Sequence, residues 1–364
     1  MRIAILTADT AGPMGGIHQY TLCLAEALRA ESGVDVDVLF PRSGRCPSRR
    51  GAARAPAGYD ALLVQYNPFA YGRRGVAPQL PLHVARFRRE ARARIALMVH
   101  EPYVPADSVR TGLMHGWQRL QLTALMFAAD VIFASMERWV RELAAQWPKR
   151  ATFHLPVGSN LPDMRAARER QRERLEIDGH VVLTTFGSGH PSRRLDFVAA
   201  AANSVAETGK PVVLFNLGLG SPPVIGVDRR VRVYEPGRLH VDDLARTVAA
   251  TDVYLAPLVD GASTRRTTLA AALQHGLPIV ATDGASTGRT LRDSAAMRLV
   301  PIDDREAFVQ EVGRLVADDE QRVRLGQAAR RFFDQRLDWP ILARSVLQRL
   351  GGGGAPPPDE FEST

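Results

Sequence analysis

The stretch Val253–Thr282, VYLAPLVDGASTRRTTLAAALQHGLPIVAT, decides the fold. It opens on a short apolar run, Val253–Pro257, that has the length and composition of a buried strand. A polar segment follows, carrying Asp260, Gly261, Ser263, Thr264 and the pair Arg265–Arg266. Thr267 or Thr268 then caps a short apolar helix, Gly276 and Pro278 close it, and Ile279–Ala281 returns as a second strand. Strand, helix and strand in this order is the repeating unit of an α/β sheet.

Working outward, the same alternation fills the chain. Arg2–Thr7 reads as a strand, Gly15–Gly16 as a turn and His18–Ala30 as a helix, with Tyr20, Leu22, Leu24, Ala27 and Leu28 at helical spacing. Strands are predicted at Val34–Phe40, Ala61–Gln65, Ile95–His100 and Val131–Ala134, and helices at Pro81–Arg94 and Leu113–Ala129. An Arg- and Glu-rich connection, Leu161–Glu176, separates this half from a second series. That series has strands at Val181–Phe186, Val212–Leu217, Val231–Tyr234, Val253–Ala256, Ile279–Ala281 and Arg298–Val300. Its helices are expected at Asp196–Glu207, Val241–Ala250, Thr268–His275 and Arg305–Asp318. The halves show no clear repeat of sequence. The expected domains are 1–160 and 161–336, with a final helix over 337–350 and a Gly-, Pro- and acid-rich tail over 351–364.

The composition is that of a folded protein: 364 residues, 45% hydrophobic and 24% charged. The net charge is +8, yet only Lys149 and Lys210 are lysine, so arginine carries nearly all of it. A basic balance favours acidic partners, but the arginines show no aromatic interleaving and no nucleic-acid module, which speaks against nucleic acid. Cys23 and Cys46 have no metal-ligand spacing, and a reduced compartment suits them better than a disulfide framework. No stretch reaches the roughly 18 to 20 apolar residues of a membrane span, and no basic leader precedes an apolar run. The expectation is a cytoplasmic protein. The basic segment Ala85–Arg94, ARFRREARAR, leaves peripheral contact with an anionic membrane open, against the plainer reading of a solvated helix face.

Four segments carry chemistry. The first is Asp260–Thr268: at the carboxyl edge of a sheet, a helix start offers free N–H groups and partial positive charge, and Arg265 and Arg266 add fork-shaped donors. This combination suits a diphosphate, whereas an isolated arginine pair beside a capped helix would be a solvated surface. The second is Phe186–Arg194, FGSGHPSRR, where Gly187 permits close backbone approach and Arg193 and Arg194 supply cations. Standing alone, its Gly-Ser-Gly is most often a turn. The third is Gly15–Gly16, a tight turn lacking the complete G-x-G-x-x-G pattern, so no dinucleotide cofactor is indicated. The fourth gathers polar residues at first-half strand ends: Gln65, Tyr66 and Asn67, then His100 and Glu101. No histidine has metal-binding spacing such as H-E-x-x-H.

In this order, the GG turn with GGIHQYTLCLAEAL, VIFASMERWVREL, LPVGSNLP, VRVYEPGRLHVDDLARTVAATDVYLAPLVDGAS and HGLPIVAT resemble the retaining GT-B glycosyltransferases of group 1, over nearly the whole chain. The resemblance includes a DGxSxRR segment at the donor site that related sequences share. It implies two facing Rossmann-like domains with a cleft between them. Arg193 matches the family's basic residue toward the donor diphosphate, and Asp260 the first acid of its E-x7-E signature, toward the donor-sugar hydroxyls. Gly261, Ala262, Ser263 and Thr264 match the backbone facing sugar and phosphates. Gly237, Arg238 and Leu239 match the loop framing the base, and Gly15 and Gly16 the turn closing on the diphosphate. His100 matches a first-domain site near the transferred sugar, so His100, Arg193 and Asp260 are the catalytic candidates. His18, Gln65, Tyr66, Asn67, Glu101 and Tyr103 fall on the acceptor side. One departure is plain: eight residues beyond Asp260 stands Thr268, so the second acid, which helps hold the ribose, is absent.

The function so implied is transfer of a sugar from a UDP- or GDP-sugar to a small-molecule or glycan acceptor, with retention, no cofactor and no metal. The alternative is a non-catalytic GT-B protein that still binds sugar nucleotides.

Overall fold

The computed structural model describes residues 1–8, 16–40, 58–189 and 191–351. Gly15, Cys46, the Pro41–Ala57 loop and nearly all of the Gly351–Thr364 tail lie outside the described residues. Two compact units emerge, Met1–Pro156 together with the chain from Trp339, and Val157–Asp338.

The first unit runs β1 (Arg2–Leu6), α1 (Gly16–Ala30), β2 (Asp35–Leu39), β3 (Ala61–Tyr66), α2 (Gln79–Ala91), β4 (Arg94–Val99), α3 (Val109–Ala128), β5 (Val131–Ala134), α4 (Glu137–Gln146) and β6 (Ala151–His154). Its six strands form one parallel sheet in the order β2-β1-β3-β4-β5-β6. Every residue of β3 is buried, as a strand covered on both faces requires. Each large aliphatic side chain so removed from water contributes about 1.5–3 kcal/mol.

The second unit runs α5 (Arg168–Arg174), β7 (Val181–Phe186), α6 (Leu195–Glu207), β8 (Val212–Leu217), β9 (Val231–Tyr234), α7 (Val241–Ala249), β10 (Val253–Ala256), α8 (Thr267–Gln274), β11 (Ile279–Asp283), α9 (Arg289–Arg292), β12 (Arg298–Pro301), α10 (Arg305–Ala317) and α11 (Asp319–Arg336). Its sheet order is β12-β11-β10-β7-β8-β9, again all parallel. The first strand of this unit, β7, therefore lies beside its fourth, β10. Helical connections leave in opposite directions from that point, which opens a crevice at the carboxyl ends of β7 and β10. The last helix, α12 (Trp339–Leu350), packs against α1 of the first unit, with the Trp339 ring 5.3 Å from Tyr20.

Several boundaries differ from expectation for local reasons. α2 begins at Gln79 rather than Pro81, because proline is tolerated within a first turn, and it ends when Arg92 adopts a left-handed backbone (φ 53°). α3 starts four residues before Leu113, since Ser108 and Thr111 form a reciprocal capping box. The Leu161–Glu176 connection contains α5, whose Arg172 is buried against the Ala250 and His180 carbonyls and Asp252. The 18-residue α11 was missed, although Asp318 caps it and Leu325, Ala329 and Phe333 line its buried face at helical spacing.

Candidate functional site

The two loops flanking the second unit's crevice are stitched together. Arg193 and Leu258 form an isolated antiparallel bridge, the Arg194 amide donates to the Pro257 carbonyl at 2.7 Å, and the Val259 amide to the Ser192 carbonyl at 3.1 Å. This fixes Ser192–Arg194 beside Pro257–Val259, the residues that lead into Asp260. Local backbone makes the close contact feasible. A Cβ on Gly218 (φ 120°) would meet the Gly187 carbonyl oxygen at 2.0 Å, and one on Gly261 (φ 87°) would meet the Gly284 nitrogen at 2.4 Å.

Arg193 reaches into this junction. Its guanidinium donates to Ser221 Oγ at 2.7 Å, Thr185 Oγ1 at 3.2 Å, Asn216 Oδ1 at 3.4 Å and the Gly187 carbonyl at 3.4 Å. All four acceptors are neutral, and among the described residues no carboxylate pairs with it. Burial lowers its pKa; Tyr254 acts against the shift and the nearby Arg266 charge adds to it. A partly desolvated cation with no counter-ion favours an incoming anion.

Arg265 and Arg266 are arranged differently from a free pair. Arg265 Nη2 binds Asp260 Oδ2 at 3.0 Å, and Arg266 Nη2 binds Asp260 Oδ1 at 2.8 Å. Burial works to raise the Asp260 pKa, but the charges of Arg266 and Arg265 overcome it and hold the carboxyl below its ordinary value. Burial lowers the Arg266 pKa against the pull of Asp260, and Ser192 Oγ accepts a further 3.2 Å bond from this guanidinium. Around Asp260 and Arg193 there are thus three guanidinium groups and one carboxylate, a surplus of two positive charges.

Neither Thr267 nor Thr268 caps α8. Arg266 holds the N-cap position without a side-chain cap, and the Thr267 and Thr268 amides have no partner among the described residues. The helix start keeps its donors available for an anion. Beside it, Ser263 is fully buried with an unpartnered hydroxyl, while Gly261 and Ala262 form the turn. Thr264 accepts the Val157 amide through its carbonyl at 2.8 Å.

Asp260 has a second anchor that sequence reading passed over. Residues 260–267, DGASTRRT, recur as residues 283–290, DGASTGRT, differing only at Arg265 against Gly288. The copies follow the adjacent parallel strands β10 and β11 and lie against each other. Ser286 of the second copy donates through Oγ to Asp260 Oδ2 at 3.0 Å and through its amide to the Asp260 carbonyl at 2.8 Å. The second copy's own acid, Asp283, pairs with Arg292 at the surface. The copies begin 23 residues apart, each at the carboxyl end of a strand, so the repeat itself is legible in the sequence.

Other predicted residues are placed as follows. Arg194 turns outward, paired with Asp196 and lying 4.3 Å over the Phe197 ring, so it is not part of the cationic cluster. Gly237 (φ 68°), Arg238 and Leu239 form the turn before α7, with Arg238 exposed. In the first unit, Gly16 begins α1, and His18 lies 5.4 Å from the Phe40 ring. His100 is buried against Gln65, Nε2 to Oε1 at 2.7 Å, with Tyr20 edge-on to its ring. Burial lowers its pKa to about 3, so it stays neutral. Tyr66 is wholly buried, Asn67 donates to Glu101 at 3.1 Å, and the Tyr103 ring lies 4.5 Å from that of His115 with the planes tilted by 59°. Among the described residues no group of three or more His, Cys, Asp or Glu is placed to hold a metal, and no helix is long and apolar enough to cross a membrane.

Two six-stranded parallel sheets, each covered by helices, give this protein a two-domain α/β fold of the GT-B kind. Residues 180–318 match the profile of the family described as "Glycosyl transferases group 1". The phosphatidyl-myo-inositol mannosyltransferase of Mycobacterium leprae is 26% identical, covering 96% of each chain. That of Mycolicibacterium smegmatis is 25% identical over 96% of this chain and 93% of its own. Anabaena HepE in complex with UDP superposes with a TM-score of 0.68 at 14% identity, covering 97% of this chain and 100% of that one. The sucrose-phosphate synthase of Thermosynechococcus elongatus gives 0.66 at 16%, covering 96% and 98%. The matched family model and both curated relatives are glycosyltransferases, and the two solved structures share the fold.

Proposed function

We propose that this protein transfers a hexosyl group from a UDP- or GDP-sugar to a hydroxyl acceptor, with retention of configuration and without a metal. The observation that carries the reading is the charge arrangement at the β7–β10 crevice. Arg193, Arg265 and Arg266 outnumber Asp260 by two charges, which matches the two negative charges of a nucleoside-diphosphate sugar. In transfer, the bond from the anomeric carbon to the β-phosphate oxygen breaks, and its electron pair stays with the diphosphate. The guanidinium groups and the α8 amides stabilise that growing charge. The acceptor oxygen bonds to the same face of the anomeric carbon and gives its proton to the departing phosphate.

Asp260, held between two arginines and Ser286, orients the arginines and keeps one lone pair, on Oδ1, for a donor-sugar hydroxyl. The names of the mycobacterial relatives make a nucleoside-diphosphate mannose, with GDP or UDP as its nucleotide, the first donor to test and a phosphatidyl-myo-inositol the first acceptor.

The deciding experiment combines thermal shift with product detection. A cognate donor raises the melting temperature by mass action, and release of its nucleoside diphosphate follows on addition of acceptor. Stabilisation by no UDP- or GDP-sugar, with no nucleoside diphosphate released, sinks the reading.

A further inference from the structure

We propose that the outward face of α3 in the first unit is a docking surface for an anionic phospholipid bilayer. A helix covering a domain ordinarily buries one apolar face and shows water a polar one. α3 does not. Its inner face is closed by Gln118, Gln121, Leu122, Leu125 and Met126, all buried. Its outer face carries Val109, Leu113, Gly116, Leu120, Ala124 and Phe127, all exposed. These six are spaced by three or four residues over the whole helix, and at about 100° per residue they fall within one arc of roughly 80°. The four large side chains stand well out of the protein, at 86%, 75%, 63% and 68% exposure for Val109, Leu113, Leu120 and Phe127. Leu82 on the adjoining α2 adds another at 71%.

Charge identifies the occupant. The 20 residues of α3 include no acid. Arg110 and Arg119 flank the apolar stripe on opposite sides, roughly 80–100° from its centre by the same helical geometry. Neither pairs with a carboxylate among the described residues, and the same holds for Arg89 and Arg92 near the end of α2. An apolar stripe between unpaired arginines fits the boundary of a bilayer, where side chains enter the acyl region and guanidinium groups meet lipid phosphates. A second copy of this chain would set these arginines against one another. Nucleic acid would leave the aliphatic stripe facing phosphate. The surface differs from the basic Ala85–Arg94 segment, where Arg86 and Arg88 are already paired with Glu90 and Asp130.

The test is sedimentation of the full chain with vesicles of phosphatidylcholine alone or mixed with phosphatidylglycerol, independently of any enzymatic assay. The wild type is expected to bind the mixed vesicles, less strongly at high salt. Leu113→Glu with Leu120→Glu, and separately Arg110→Gln with Arg119→Gln, should each weaken binding roughly tenfold or more with melting temperatures unchanged. Their positions are exposed, so folding is expected to survive; if the glutamate pair unfolds, the glutamine pair decides alone. Wild-type protein remaining in the supernatant with both vesicle types overturns the proposal. So does a dimer, seen by light scattering, that the leucine changes dissociate without affecting vesicle binding. Vesicle binding without nucleotide-sugar binding would leave this surface standing and the proposed transfer refuted.

Discussion

Ser286 Oγ donates a 3.0 Å hydrogen bond to Asp260 Oδ2, so the second copy of the DGAST motif braces the acid of the first. The same carboxylate orients Arg265 and Arg266, which makes Ser286 a positioning residue acting through Asp260. Ser286→Ala should lower kcat/KM for the donor by roughly fivefold, about 1 kcal/mol, the usual net worth of such a bond. Ser286→Thr keeps the hydroxyl and should restore most of the loss. Equal activity in wild type and the alanine variant would remove Ser286 from the donor site.

Arg193 and Arg266 should matter differently to stability and to activity. Arg193 is a half-buried cation without a counter-ion, so Arg193→Ala removes a desolvation cost along with four neutral hydrogen bonds. Its melting temperature without ligand should stay near the wild-type value, while stabilisation by the nucleotide sugar largely disappears. Arg266→Ala leaves Arg265 and Ser286 on Asp260 and should reduce transfer by about 100-fold, as loss of a charge-stabilising donor does. Unchanged turnover in both variants would end the diphosphate assignment.

Much of the architecture was legible because parallel strands buried on both faces are short uninterrupted apolar runs. Val181–Phe186, Val212–Leu217 and Val253–Ala256 coincide with β7, β8 and β10. β6, Ala151–His154, was hidden because none of its residues is buried, so burial imposed no apolar pattern on it. In the site, the location of Arg193 and Asp260 at strand ends was readable; their partners were not. Whether an arginine pairs with a carboxylate, as Arg194 does with Asp196, or bonds neutral acceptors, as Arg193 does, depends on side-chain direction at one bridge. The bracing by Ser286 depends on β10 and β11 being neighbours, which spacing alone does not specify.

Two glycines separate strain from propensity. Gly261 has φ 87° and no room for a Cβ, which would sit 2.4 Å from the Gly284 nitrogen and 2.5 Å from Thr287 Oγ1. Gly261→Ala should therefore destabilise the second unit by roughly 2–4 kcal/mol, and should separate the two motif copies. Gly313 lies inside α10 with open space where a Cβ would be. Gly313→Ala should stabilise by about 0.5–1 kcal/mol. Urea denaturation of both variants checks the pair, and a harmless Gly261→Ala would contradict the tight packing of the loops.

His100 gives the first unit a defined acid sensitivity. Burial holds its folded pKa near 3, whereas an exposed histidine in the unfolded chain titrates near 6.5. Between these values the unfolded state binds a proton that the folded state does not, so stability falls as pH drops through about 6 toward 3. This one group contributes a slope of up to about 1.4 kcal/mol per pH unit in that window. His100→Gln removes the titration and retains an amide able to bond Gln65. Its stability should fall less steeply than that of the wild type between pH 7 and about 4. Denaturant midpoints measured across this range provide the check, and parallel curves for the two proteins would mean that His100 is not buried in neutral form.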